Sequence, residues 1–110
     1  MSLPQIGRRS ATYLELREAV LSRSPIVVRY KGYDRLVCPH TLGTKNGREK
    51  VLTYQYGGGS SSGLPAGGEW RCMFVNELEF LGVQSDDDWH TDPRHSRPQT
   101  CVDAVDVETS

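Results

Sequence analysis

No stretch of the 110-residue chain approaches the ~18 consecutive apolar residues of a membrane span. The N-terminus also lacks the apolar run, roughly 7–15 residues long, of a secretory signal, so neither an anchor nor an export leader is expected. Hydrophobic residues make up only 36 % of the chain, and eleven glycines supplement them. That balance points to one modest core with long polar loops. Cysteine is scarce. Cys38, Cys72 and Cys101 form an odd set without tight spacing, which fits free thiols in a reducing cytoplasm better than a disulfide framework. The paired ligand spacings of a zinc site are missing: His90 and His95 stand five apart and Cys101 six further on, so neither metal nor cofactor is expected. Residues 57–68, rich in Gly and Ser, are followed by neither Gly-Lys-Ser/Thr nor a helix, which excludes a P-loop. There is no internal repeat and no sustained heptad.

What the chain does carry is an uneven charge. The net charge is −1. Residues 1–50 hold ten Lys/Arg against four Asp/Glu, and residues 51–110 hold three against ten. A basic half can steer an anion, and the two halves can also neutralise each other within one fold or between two copies.

The length suits one domain over residues 1–110. Thr12 to Glu15 has the spacing of a capping box, and Tyr13, Leu16 and Val20 follow at helical period. Ser24-Pro25 ends that helix, giving a span of about residues 12–22 whose apolar stripe must pack on something. Strands follow. Ile26 to Tyr30 is β-branched and aromatic, and Arg35 to Cys38 resumes after a turn at Lys31-Gly32, with Pro39 marking an edge or a strand end. Asn46-Gly47 is the strongest hairpin signal. It leads into Arg48 to Tyr56, where Leu52, Tyr54 and Tyr56 share a face. Glu69 to Val75 alternates Trp70, Cys72 and Phe74 against Arg71 and Met73, and Leu78 to Val83 is a further strand. The expected core is Tyr13, Leu16, Val20, Ile26, Val28, Leu52 and Phe74. The acidic tail, residues 84–110, carries Trp89, a residue suited to anchoring contacts, and is expected to fold back on the sheet.

The order of one helix and five short strands resembles the WYL domain of bacteria over about residues 13–83. The matching strings are Ile26-Val27-Val28-Arg29-Tyr30, Gly32-Tyr33-Asp34-Arg35, Pro39-His40-Thr41-Leu42-Gly43, Asn46-Gly47-Arg48 and Trp70-Arg71. The Trp-Tyr-Leu run itself is replaced by Glu49-Lys50-Val51. Val75-Asn76-Glu77-Leu78 stands where the family has Leu-Asp-Arg-Ile, and the family's helix-turn-helix has no counterpart. The resemblance implies a mainly β fold, a small Sm-like or SH3-like bent sheet or barrel of about five strands with one N-terminal helix. It also implies a cytoplasmic, non-enzymatic sensor of an anionic ligand: a nucleotide, an oligonucleotide or a phosphorylated metabolite.

Arg35, His40, Gln55, Arg71 and His95 are the residues expected to hold such a ligand. Arg35 and Arg71 would supply charge through planar forks, His40 and His95 would supply donors, and Gln55 a neutral edge. Arg71 can instead pair with Glu69, Glu79 or the tail. The Gly/Ser loop could wrap an anion through its backbone N–H groups or serve as a plain hairpin connection. Two other functions fit less of the sequence. One is an interaction or homodimerisation module using open strand edges. The other is a small hydrolase using Cys38 or Cys101 with a histidine, which needs an exposed thiol beside a base.

Overall fold

The computed structural model describes residues 9–92 and 99–109. Its helix α1 spans Ala11–Ser22 and is capped by Ser10, whose Oγ accepts from the Tyr13 N–H at 3.1 Å. Ser10 also donates to Glu49, from Oγ at 2.7 Å and from its N–H at 3.2 Å. The capping box expected at Thr12–Glu15 is therefore displaced. The cap lies just outside the helix, and a glutamate from a distant strand does the reciprocal work of the box's own acid. At the other end Arg23 takes a left-handed conformation, φ 53°. The Arg23 and Ser24 N–H groups then bond back to Val20 and Ala19 before Pro25.

Among the described residues six strands follow: β1 (Ile26–Tyr30), β2 (Tyr33–Lys45), β3 (Arg48–Gly58), β4 (Glu69–Phe74), β5 (Leu78–Val83) and β6 (Ala104–Glu108), with a 3-10 turn at Val75–Glu77 before β5. They form one bent, unclosed antiparallel sheet in the order β4-β3-β2-β1-β5, with β6 paired to β2. The mainly β class with a single leading helix is the one expected. Lys31-Gly32 and Asn46-Gly47 make the two tight turns, all four residues at positive φ, as two-residue hairpins require. Among the described residues no helix is long and apolar enough to cross a membrane.

Pro39 does not end a strand. Strand β2 runs on through it for 13 residues. The first part of β2 pairs with β1 (Tyr33 to Val37) and a later part with β6 (Thr41 to Thr44), so Pro39 falls in the gap between these two partners, where no ladder donor is needed. On the β3 side Pro39 faces Thr53 and Thr41 faces Leu52, which leaves His40 as the extra residue of a bulge. A bulge inverts the alternation beyond it, so Val37 and Leu42, of opposite parity, both face the helix.

The inner face holds Tyr13, Leu16 and Val20 of α1 against Ile26, Val28, Val37, Leu42, Val51 and Met73. Two expected core residues are corrected. Leu52 and Phe74 are only partly buried and face outward, and Val51 and Met73 take their places with no exposure. Both faces of β3 and β4 alternate plausibly, and alternation alone does not say which face the helix covers. Tyr13 and Arg17 also clamp β6: Tyr13 OH and Arg17 Nε donate to Asp106 at 2.8 and 3.1 Å.

The cysteines require a second correction. Cys72 and Cys101 form a disulfide, with Cα atoms 5.7 Å apart, and only Cys38 is free. The pair is separated by 29 residues in sequence. It becomes visible only once the tail is laid across the outer face, where Cys72 lies.

At Gly43 the chain leading into β6 comes close to β2. A Cβ there would stand 2.0 Å from the Ala104 carbonyl oxygen, whereas one at Gly82 would meet nothing within 4 Å. Gly43→Ala should cost about 1–3 kcal/mol by overpacking and speed amide exchange over Ala104–Glu108. Gly82→Ala should stay within about 0.5 kcal/mol of the parent. Denaturant melts and hydrogen exchange read both; equal stability of the two variants would contradict the packing described.

Candidate functional site

Strand geometry sends successive side chains to opposite faces, and β4 makes the division plain. Arg71 stands on the inner side, directly across from Thr53, and Trp70 stands on the outer side across from Tyr54. The two faces carry different chemistry.

At the inner corner, Arg35 of β2 is buried at 5 % exposure. Its Nε and Nη2 donate to the Tyr30 carbonyl at 3.2 and 3.0 Å, and Nη1 donates to Gln55 Oε1 at 3.4 Å. The guanidinium lies over the rings of Tyr30 and Tyr33, 5.3 and 5.7 Å from their centroids. Among the described residues it has no carboxylate partner. Burial, and then the neighbouring Arg71 charge, lower its pKa from the usual arginine value. Gln55, fully buried, turns its amide nitrogen to the carbonyls of Gly57 and Gly59 at 2.9 and 3.0 Å. Arg71 Nη2 donates to Ser60 Oγ at 3.2 Å and to the Gly63 carbonyl at 3.1 Å, and pairs with Glu69 at 2.9 Å. Its Nε is buried without a partner. Arg35, Gln55 and Arg71 are thus brought together, and Gln55 and Arg71 hold the Gly/Ser loop by its oxygens. The Gly57 and Gly59 carbonyls accept from the Gln55 amide, and Ser60 Oγ and the Gly63 carbonyl accept from Arg71.

The other expected residues lie elsewhere. His40 is on the outer face, and His95 falls outside the described residues. His40 packs against Trp70 at 4.7 Å and Trp89 at 4.8 Å between ring centroids. Tyr54 meets Trp70 at 5.2 Å, and His90 stacks on Tyr56 at 4.3 Å and 5°. The chain from Gln84 onward supplies Trp89 and His90 as a strap across this face. The strap is tied by Gln84 N–H to Pro25 O, by Tyr56 OH to Asp87, and by His90 N–H to Cys38 Sγ at 3.2 Å. Among the described residues His40 Nε2, Trp89 Nε1 and His90 Nδ1 are buried there without hydrogen-bond partners, each at a cost of about 1–3 kcal/mol. The sequence displayed this cluster only in part, through the outward alternation of Leu52, Tyr54 and Tyr56 and through a tryptophan in an acidic tail.

Cys38 and His40 do not form a nucleophile pair. His40 Nδ1 lies 2.8 Å from the Cys38 carbonyl oxygen rather than addressing its thiol. Burial pushes the Cys38 thiol up to about 11, which keeps it protonated at neutral pH. Among the described residues no group of three His, Cys, Asp or Glu side chains could hold a metal ion. Comparison with protein-family models, with curated proteins and with solved structures returned no match.

His40 gives the fold an acid-sensitive side. Burial lowers its pKa below the ordinary 6.5. The unfolded chain therefore takes up the proton first, and stability present above pH 6.5 should fall as the pH drops from there towards the folded-state value. His40→Gln should flatten that slope. Chemical melts at a series of pH values from neutral to acid read it, and an unchanged slope in the variant would contradict the assignment.

Proposed function

We propose that the protein is a non-enzymatic binding module for an anionic ligand, held at the Arg35–Gln55–Arg71 corner. One observation carries this reading: a buried arginine without a carboxylate sits beside a second arginine whose Nε is unsatisfied. Buried charges are ordinarily paired, and a cation left uncompensated is a standing demand for an anion. A phosphoryl or carboxylate oxygen entering here would replace Ser60 Oγ, the Gly63 carbonyl and Glu69 at Arg71. It would also take up donors of Arg35 not committed to Tyr30 and Gln55. The Gly/Ser loop then acts as a cover that an anion displaces, a use suited to long loops in compact domains.

The resemblance to the WYL domain supports a phosphate-bearing ligand such as a nucleotide, an oligonucleotide or a phosphorylated metabolite. It also supports a bacterial, cytoplasmic setting. In such a compartment the Cys72–Cys101 bridge would tend to be open, so the site must stand without it. The arginine corner meets that condition, since its contacts come from β1 to β4 and the loop, with none from Cys101.

Binding of inorganic phosphate or a nucleoside monophosphate, measured calorimetrically, should weaken roughly tenfold in Arg71→Gln, the size expected for one charge-assisted hydrogen bond. The salt dependence of binding should become shallower in the same variant. An affinity indifferent to Arg71, or no binding by the parent protein, would overturn the reading.

A further inference from the structure

We propose that the outer face of the sheet is a second binding site, for a planar nitrogen heterocycle bearing an N–H donor, and that the chain's own strap occupies it in this structure.

The shape of the site is set by rings. Tyr54 and Tyr56 on β3, Trp70 on β4 and His40 at the β2 bulge form an aromatic floor. The strap fills that floor with two heteroaromatic rings: the His90 imidazole lies flat on Tyr56, and the Trp89 indole lies against His40 with the Arg23 guanidinium 5.8 Å above it. The floor therefore accepts flat nitrogen heterocycles, and a cation stands beside the ring they would replace.

The hydrogen bonding of the site is left incomplete. A backbone carbonyl can only accept, so His40 Nδ1, 2.8 Å from the Cys38 oxygen, carries the imidazole proton. Nε2 is then a bare lone pair, 91 % of the residue is buried, and no described group donates to it. The strap satisfies the stacking and fails the polar match, because the Trp89 N–H and His90 Nδ1 are themselves without partners. A purine or pyrimidine with a ring N–H or amino group offers the same flat face together with a donor for Nε2. Such a ligand would compete with residues 84–92, which are tied at Gln84 to Pro25, at Asp87 to Tyr56 and at His90 to Cys38. This face points away from the arginine corner, so an uncharged nucleoside tests it apart from the anion site.

The experiment is a titration of the full chain with guanosine, read by tryptophan fluorescence. The proteins are the parent, Trp89→Ala, and Trp89→Ala combined with His40→Phe. Removing the internal competitor should tighten binding about tenfold, because a larger fraction of molecules is competent. Adding His40→Phe should cost about tenfold again, through loss of the acceptor. No saturable response by a folded Trp89→Ala protein overturns the proposal, and so does an affinity unchanged by His40→Phe. Binding of N-acetyltryptophanamide in place of guanosine overturns the ligand class in favour of a peptide. Should Trp89→Ala fail to fold, the indole N–H resonances of the parent protein decide. Saturating guanosine must shift the Trp89 signal, and a signal that stays in place overturns the proposal.

Discussion

Strand β2 bears three partners, and the bulge at His40 is the constraint that lets it do so. Before the bulge β2 pairs with β1, after it with β6, and on its other side with β3 from Arg35 to Lys45. One extra residue lets Val37 and Leu42 both reach the helix although their parity differs. The same residue turns an imidazole outward between two tryptophans. The inward reach of Leu42 and the outward position of the His40 ring both follow from this irregularity.

The two faces resolve polar groups in opposite ways. On the inner face the helix buries an apolar set, and at its open corner the sheet keeps two guanidiniums together with too little negative charge. Neutral oxygens of Tyr30 and Gln55 solvate Arg35, and Ser60, the Gly63 carbonyl and Glu69 share Arg71. On the outer face the strap buries aromatic area while polar atoms of His40, Trp89 and His90 go without hydrogen-bond partners among the described residues. Unmet hydrogen-bonding capacity of that kind is unusual in a settled core. Its appearance on both faces, at cations on one and at an acceptor on the other, is the feature on which the proposed binding rests.

Much of the architecture was legible in the chain. The helix stripe at Tyr13, Leu16 and Val20, the Asn46-Gly47 hairpin and the alternation of β3 and β4 were visible because each is set by local chemistry. What escaped was non-local. The Ser10 cap depends on Glu49, the Cys72–Cys101 bridge on a tail crossing the sheet, and the choice of Val51 and Met73 over Leu52 and Phe74 on which face the helix takes. The site was legible by half. Arg35, Gln55 and Arg71 do converge, whereas His40 was sent to the opposite face by a bulge that residue types do not announce.

If Arg35 and Arg71 form one anion site, arginine side-chain NMR reads both cations at once. Inorganic phosphate is titrated into the protein while the Nε–H resonances are followed. The account predicts that Arg71 and Arg35 shift together and saturate at one affinity, with the Trp89 indole signal unmoved. Shifts spread evenly over the surface arginines without saturation, or an Arg35 signal indifferent to phosphate, would contradict it.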